Sequence, residues 1–405
     1  MVTEIVGKMM NAKNTQLDHN EVSQESWWVS LPEDFHQMLH VTGIDNLHRL
    51  KVKSSAAIDG VLRLGLASAV AGAMSPHILS PTRVRKDIHN LEFYQNIVDQ
   101  GDREAVFSKP PKDIQVIRER VAPSRYLPVG AKVELLRNQS TFQTLNPAVR
   151  SEYAKSHFNG TATAQYWQHP DGPRPTLIFT HGFLVDAPWF NNYMFSLSWF
   201  YEQGYDILLH TLPFHGTRRG KLDVLSGMGY FSHGFAHMNE AFLQGVYDLR
   251  GWMNFLEAQG VTAMGVSGYS LGGYTSASAA CADDRLKFVI PNSPAVVLID
   301  MIRGWAPTNL ALGHIMKNHH LTLKNFRHMT AVHCPLSWKP VIAPERLMII
   351  GGAGDRFTSP QFVNALHKHW SGSEMHWFPG NHVMHLNKLA YLRLMKEFMD
   401  KNCAN

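Results

Sequence analysis

Apolar residues recur along this chain in two rhythms, and the change of rhythm divides it. From about residue 47 to Arg120 the spacing is helical, over Ala56 to Met74 and then Val84 to Asp99, with breaks at Pro110-Pro111 and Pro123. Before that, Met1 to about Asn46 is polar, with Trp27, Trp28 and Leu31 as an anchoring exception. From Tyr126 onward, short strand-length runs take over. Ala131 to Leu136 and Ala162 to Trp167 alternate, and Asp171-Gly172-Pro173 makes the turn into Thr176-Leu177-Ile178-Phe179-Thr180. Further strands are expected at Tyr205 to His210, Val261 to Val266, Leu286 to Ile290, Arg346 to Ile350 and Glu374 to Phe378. Helices are expected between them: from Pro188, over Phe235 to Gln259, over Leu271 to Ala282, and from about Val383 to Asp400. Strand and helix in alternation predict a largely parallel sheet. The expected division is an extension over 1–125 and an α/β body over 126–405, with a longer excursion at 296–344.

Candidate chemistry falls where these strands end. Gly268-Tyr269-Ser270-Leu271-Gly272 lies between a strand and a helix of small residues. Its glycines permit a turn sharp enough to hold the Ser270 hydroxyl at the strand tip. Such a serine needs a base and an acid that orients the base. Asp355 follows the Arg346 strand and Gly351-Gly352-Ala353-Gly354, and is the candidate acid; the competing reading is a cap for the helix near Ser359. His382, after Pro379-Gly380-Asn381, is the candidate base. His385 is its rival, and His376 is expected to pack on the sheet. The oxyanion donors are expected to be the N–H groups of Leu271 and of Phe183, which follows His181-Gly182 after the Thr176 strand. His181 is expected to brace that loop. Trp189, Tyr269 and Trp305 are the candidates to contact substrate.

In this order, the oxyanion loop, Gly268 to Gly272, Asp355 and Gly380-Asn381-His382 resemble the α/β-hydrolase superfamily, specifically its serine hydrolases of esterase and lipase type. The resemblance spans about Ala162 to Ala404. It implies an eight-stranded, mostly parallel sheet with helices on both faces, and neither a metal nor an organic cofactor. In that family an insertion such as 296–344 forms a cap. Here its Trp305, Met316, Phe326, Met329 and Trp338 can line an acyl pocket or pack the insertion onto the body. The implied activity is hydrolysis of carboxylic esters, of lipids or other apolar acyl groups, through an acyl-enzyme. An acyltransferase or thioesterase would use the same residues, and a catalytically idle fold serving as a binding protein is a third reading.

Composition narrows the setting. A chain of 405 residues with 44% hydrophobic residues carries a sizeable core, and a net charge of +5 is mild. Lys/Arg runs with interleaved aromatics are missing, which speaks against nucleic acid as a partner. Three cysteines and no export-type apolar core in Met1 to Asn20 favour a cytoplasmic setting. Within the uncharged span Leu64 to Thr82, the apolar part, Leu64 to Met74, is too short to cross a bilayer and is interrupted by Pro76 and His77, so it reads as a helix packed on the body. Basic residues before it (Arg49, Lys51, Lys53) and after it (Arg83, Arg85, Lys86) leave peripheral membrane contact open. Arg218-Arg219-Gly220-Lys221 reads as a solvated loop, or as a hold for an acidic substrate tail. The 23 histidines show no zinc-type spacing. Oligomeric state is not legible.

Overall fold

The computed structural model describes residues 26–38, 49–221 and 223–404; the expectation for Met1 to Asn20 and the side chains of Arg49, Lys51 and Lys53 lie outside the described ones. A nine-stranded sheet forms its centre, in the order β1-β2-β3-β5-β4-β6-β7-β8-β9. The strands are β1 Val116–Arg120, β2 Lys132–Gln139, β3 Thr161–Gln168, β4 Thr176–Thr180, β5 Asp206–Thr211, β6 Met264–Tyr269, β7 Val289–Asn292, β8 Met348–Gly352 and β9 Glu374–Phe378. β1, β2, β3 and β5 pair antiparallel, and β5-β4-β6-β7-β8-β9 pair parallel.

Period-two alternation assigns side chains to the two faces. Ile178, Leu208, Val266 and Ile349 pack with Leu249, Trp252, Ala277 and Phe362. Leu177, Phe179, Ile207, Ile290 and Ile350 pack on the opposite side with Phe195, Phe200, Tyr391 and Phe398. The two faces are thus covered by different helices: Phe235–Ala258, Leu271–Ala282 and Pro360–His369 on one, Pro188–Phe195, Leu197–Glu202 and Lys388–Cys403 on the other. This is the α/β-hydrolase fold.

Several boundaries depart from the sequence reading. The ninth strand, β1, comes from the span assigned to the extension, so the boundary at 125/126 falls inside the sheet. Its residues are Val-Ile-Arg-Glu-Arg, four of them exposed at an edge, and the charges conceal the strand. The nucleophile strand runs Met264–Tyr269 rather than from Val261. Gly265 looks like a strand breaker, yet a Cβ there would stand 2.4 Å from the Phe288 ring, so packing demands glycine. The N-terminal helix spans Arg49–Ile78 and continues through Pro76. Proline leaves the Gly72 carbonyl without its usual donor, and Ser75 Oγ supplies one at 2.8 Å. Ala56–Ile78 is therefore longer than expected, and by length and composition it is long enough to cross a membrane. Its Val70, Ala73 and Met74 are buried, Val70 and Met74 in one cluster with Phe235, Phe242, Tyr274 and Phe326, so the helix docks on the body. Trp27 and Trp28 anchor as expected: Trp27 Nε1 donates to Ser337 Oγ, and Trp28 stacks on His328.

Candidate active site

Ser270 follows β6 directly and opens the helix Leu271–Ala282, with φ 56° and ψ −111°. Such angles are rare for a residue with a side chain and mark a strained turn. Its neighbours must be glycine for steric reasons. A Cβ on Gly268 would lie 2.4 Å from the Gly272 carbonyl oxygen, and one on Gly272 would lie 2.0 Å from that of Thr180. The Ser270 N–H donates to the Asn292 carbonyl at 2.9 Å, tying the turn to β7.

Because β6, β7, β8 and β9 are parallel neighbours, their C-terminal loops share one sheet edge. Asp355 follows β8, and His382 follows β9. His382 Nδ1 lies 2.7 Å from Asp355 Oδ2, and His382 Nε2 lies 3.0 Å from Ser270 Oγ. A carboxylate accepts at Nδ1, so the other nitrogen is free to accept from the serine hydroxyl. Asp355 is itself fixed: its Oδ1 accepts from the N–H groups of Phe357 and Thr358, both at 2.8 Å, and Thr358 Oγ1 stands 2.8 Å from Oδ2. The Gly354 N–H donates to the Gly380 carbonyl at 2.6 Å and couples the acid loop to the base loop.

On the other flank, β4 lies beside β6 and presents His181-Gly182-Phe183 to the serine turn. A Cβ on Gly182 would meet the Tyr269 ring at 2.8 Å, so glycine allows the loop its close approach. His181 is buried, and its Nε2 accepts the Leu212 N–H at 3.1 Å, the bracing expected of it. Burial lowers its basicity. Leu271 is the first helical residue, so its N–H has no acceptor within the helix.

His385 is not a competing base. It lies in a loop, since the last helix begins at Lys388 and not near Val383. Its Nδ1 pairs with Tyr391 Oη at 2.8 Å, and burial pushes it down to about 3. The substrate candidates separate. Tyr269 is buried, and its hydroxyl donates to the His382 carbonyl, so it supports the base from behind. Trp305 is buried against Phe357, whose ring stacks on His382 with centroids 4.9 Å apart. Trp189 is 54% exposed and packs with Tyr126 and Phe190 instead. Within the insertion, Phe326, Met329 and Trp338 pack onto the body, and Trp305 alone of those named packs on Phe357, two residues after Asp355. The basic loop is corrected. Arg218 is buried and pairs with Asp248 at 2.6 Å, so it cannot hold a substrate tail, whereas Arg219 and Lys221 are exposed.

Sequence reasoning missed two contributors. Thr358 braces the acid. Asp59, on the N-terminal helix, accepts the N–H groups of Arg356 and His382, both at 2.9 Å. The available signal for the second was a lone carboxylate within an otherwise apolar helix.

A family model described as the prolyl oligopeptidase family matches residues 227–405, a span that contains Ser270, Asp355 and His382. Among curated proteins, an uncharacterised protein of Mycobacterium tuberculosis is 28% identical over 237 residues, which cover 56% of this chain and 53% of that protein. The chain spans about half the length of the curated relatives it matches. Among solved structures, acetyl xylan esterase 1 from Thermoanaerobacterium sp. superposes with a TM-score of 0.55 at 14% identity, covering 80% of this chain and 98% of that one. An acetyl xylan esterase from Paenibacillus sp. gives 0.52 at 14% identity, covering 76% and 94%. At that identity the likeness concerns the fold.

Proposed function

We propose that this member of the α/β-hydrolase superfamily is a serine hydrolase that cleaves carboxylic esters through an acyl-enzyme. One observation carries the reading: the unbroken hydrogen-bonded series Ser270 Oγ, His382, Asp355, at 3.0 and 2.7 Å, on a strained turn. His382 Nε2 takes the Ser270 proton as Oγ attacks the ester carbonyl, while Asp355 holds the tautomer and favours the imidazolium that forms. The N–H groups of Leu271 and Phe183 receive the oxyanion. His382 then returns the proton to the leaving alcohol, and water, activated by the same imidazole, releases the acid. Phe357, backed by Trp305, lays an apolar ring against His382, which supports a small-molecule or lipid ester with an apolar acyl group.

The exposed apolar side chains Ile58, Val61, Leu62 and Leu64 of the N-terminal helix, with exposed Arg83, Arg85 and Lys86 following, support peripheral contact with an anionic membrane surface. Co-sedimentation with phosphatidylserine vesicles tests that contact; a wild-type protein left wholly in the supernatant removes it.

The decisive test of the activity is turnover of a chain-length series of acyl esters beside a set of aminoacyl and prolyl amides, with fluorophosphonate labelling of Ser270. Ester turnover with labelling lost in Ser270→Ala supports the reading. Amide turnover without ester turnover moves the chain to a peptidase, the reading that the prolyl oligopeptidase match favours. An unlabelled serine with no turnover of either rejects both.

A further inference from the structure

The N-terminal helix Arg49–Ile78 meets the hydrolytic site on consecutive turns. Asp59 is fully buried, and its Oδ2 accepts the N–H of Arg356 and the N–H of His382, both at 2.9 Å. These donors belong to the two loops that carry the acid and the base. One turn later, Arg63 Nη1 donates to the Arg356 carbonyl at 2.9 Å. Arg356, next to Asp355, is therefore gripped at both its N–H and its C=O by side chains four residues apart on one helix face. A further turn on, Ala67 packs with Trp305 and Phe357, and the Phe357 ring lies over His382.

Packing alone does not call for a carboxylate here. Asp59 Oδ1 has no hydrogen-bond partner, and a second buried carboxylate beside Asp355 is electrostatically unfavourable. The charge has an evident use at the other side. As Ser270 attacks, positive charge develops on the His382 ring, whose own backbone N–H is in contact with Asp59.

We propose that Asp59 is a positioning residue of this site, clamping the acid and base loops together and holding negative charge behind the imidazole, so that the N-terminal helix is a working part of the hydrolytic centre. The inference rests on the Ser270–His382–Asp355 reading above. It adds no covalent step; Asp59 acts on the base through the backbone and through space.

The groups facing Asp59 come from four elements: Arg63 on its own helix, Asp355 and Arg356 after β8, His382 after β9, and Tyr269 at the end of β6. Burial first, then the Asp355 charge, push the Asp59 carboxyl up to about 6, and the two bound N–H groups oppose this. The Tyr269 phenol is driven far up by burial and by the Asp355 and Asp59 charges, so it remains a donor to the His382 carbonyl. Asp59 therefore gives up its proton on the acid side of neutrality, and the clamp carries its charge above that range.

The test compares full-length wild type, Asp59→Asn and Asp59→Ala with a p-nitrophenyl acyl ester from pH 5 to 9, and measures the rate of Ser270 modification by a fluorophosphonate. Asparagine keeps an oxygen for both N–H groups but carries no charge. Its kcat is expected to fall about 3- to 10-fold with KM little changed, and the acid limb of its kcat profile to move to lower pH. Alanine also leaves two buried N–H groups without an acceptor, and kcat and the modification rate are expected to fall about 10- to 100-fold together. Should the alanine variant not fold, the asparagine variant decides. An Asp59→Asn enzyme with wild-type kcat and an unmoved acid limb overturns the inference, as does a loss confined to KM. A wild-type chain that neither turns over ester nor accepts the probe overturns the triad reading itself, a result distinct from either of those.

Discussion

Ser270 combines a chemical role with a backbone cost, and the two can be separated by substitution. Its φ of 56° is imposed by the turn, whatever the side chain. Ser270→Ala keeps the Cβ and its strain, so stability should change by less than about 0.5 kcal/mol while kcat falls by about three or more orders of magnitude. Ser270→Gly should be equally inactive yet more stable by about 1 kcal/mol, because glycine adopts this conformation without penalty. Urea unfolding of both variants beside wild type measures the difference; a glycine variant less stable than the alanine one would contradict the strain argument. Ser270, Asp355 and His382 were legible in the sequence because each follows a strand-length apolar run and stands beside glycines that announce a tight turn. Thr358 and Asp59 were not. Thr358 is one hydroxyl among many until its oxygen is seen beside Asp355. Asp59 contacts a residue 323 positions away, and its local sequence says only that an apolar helix contains one acid.

Elements were legible in kind more often than in extent. Proline in the N-terminal helix reads as an ending, yet Ser75 accommodates it by bonding the carbonyl that the proline leaves without a donor. The segment around Trp27–Ser30 shows how a short polar stretch can be held without a core of its own. Arg327 Nε and Nη2 pair with Asp300 at 2.8 and 2.6 Å, and the same guanidinium donates to the carbonyls of Leu31 and Pro32 at 2.6 and 2.7 Å. One buried arginine thus joins two helices of the insertion to the N-terminal segment. Arg327→Ala should destabilise by about 3–5 kcal/mol, since it leaves Asp300 buried without its partner, whereas Arg327→Met/Asp300→Leu should recover most of the loss. Denaturant midpoints check both. A single variant no less stable than wild type would mean that the pair contributes nothing to this junction.

For the whole molecule, the buried titratable groups set how stability changes with pH, and two populations oppose each other. His237, His333 and His385 are pushed down to about 3 by burial, and His210 and His215 lie well below the ordinary imidazole value for the same reason. These rings stay neutral in the fold but take up protons in the unfolded chain below about pH 6.5, so their contribution is lost as pH falls from there. Glu240, bonded to Tyr94 and to the Leu145 and Asn146 N–H groups, is raised by burial to about 7, and Asp59 to about 6. A raised carboxyl has the reverse effect: the fold holds the proton more tightly, and stability falls as pH rises toward the folded value. The lowered imidazoles outnumber the raised carboxyls, so unfolding near pH 5 should take up protons, and stability should climb between pH 5 and 6.5 before levelling above pH 7. Thermal unfolding across that range tests the sign; a midpoint that falls as pH rises from 5 to 6.5 would show that the carboxyls prevail. The Asp59 variants are read through an acid limb in kcat over an overlapping range of pH, and temperature separates the two effects. At 10 °C, where a fold weakened by protons still persists, an acid limb in kcat belongs to the site, and one that disappears on cooling belongs to the histidines of the core.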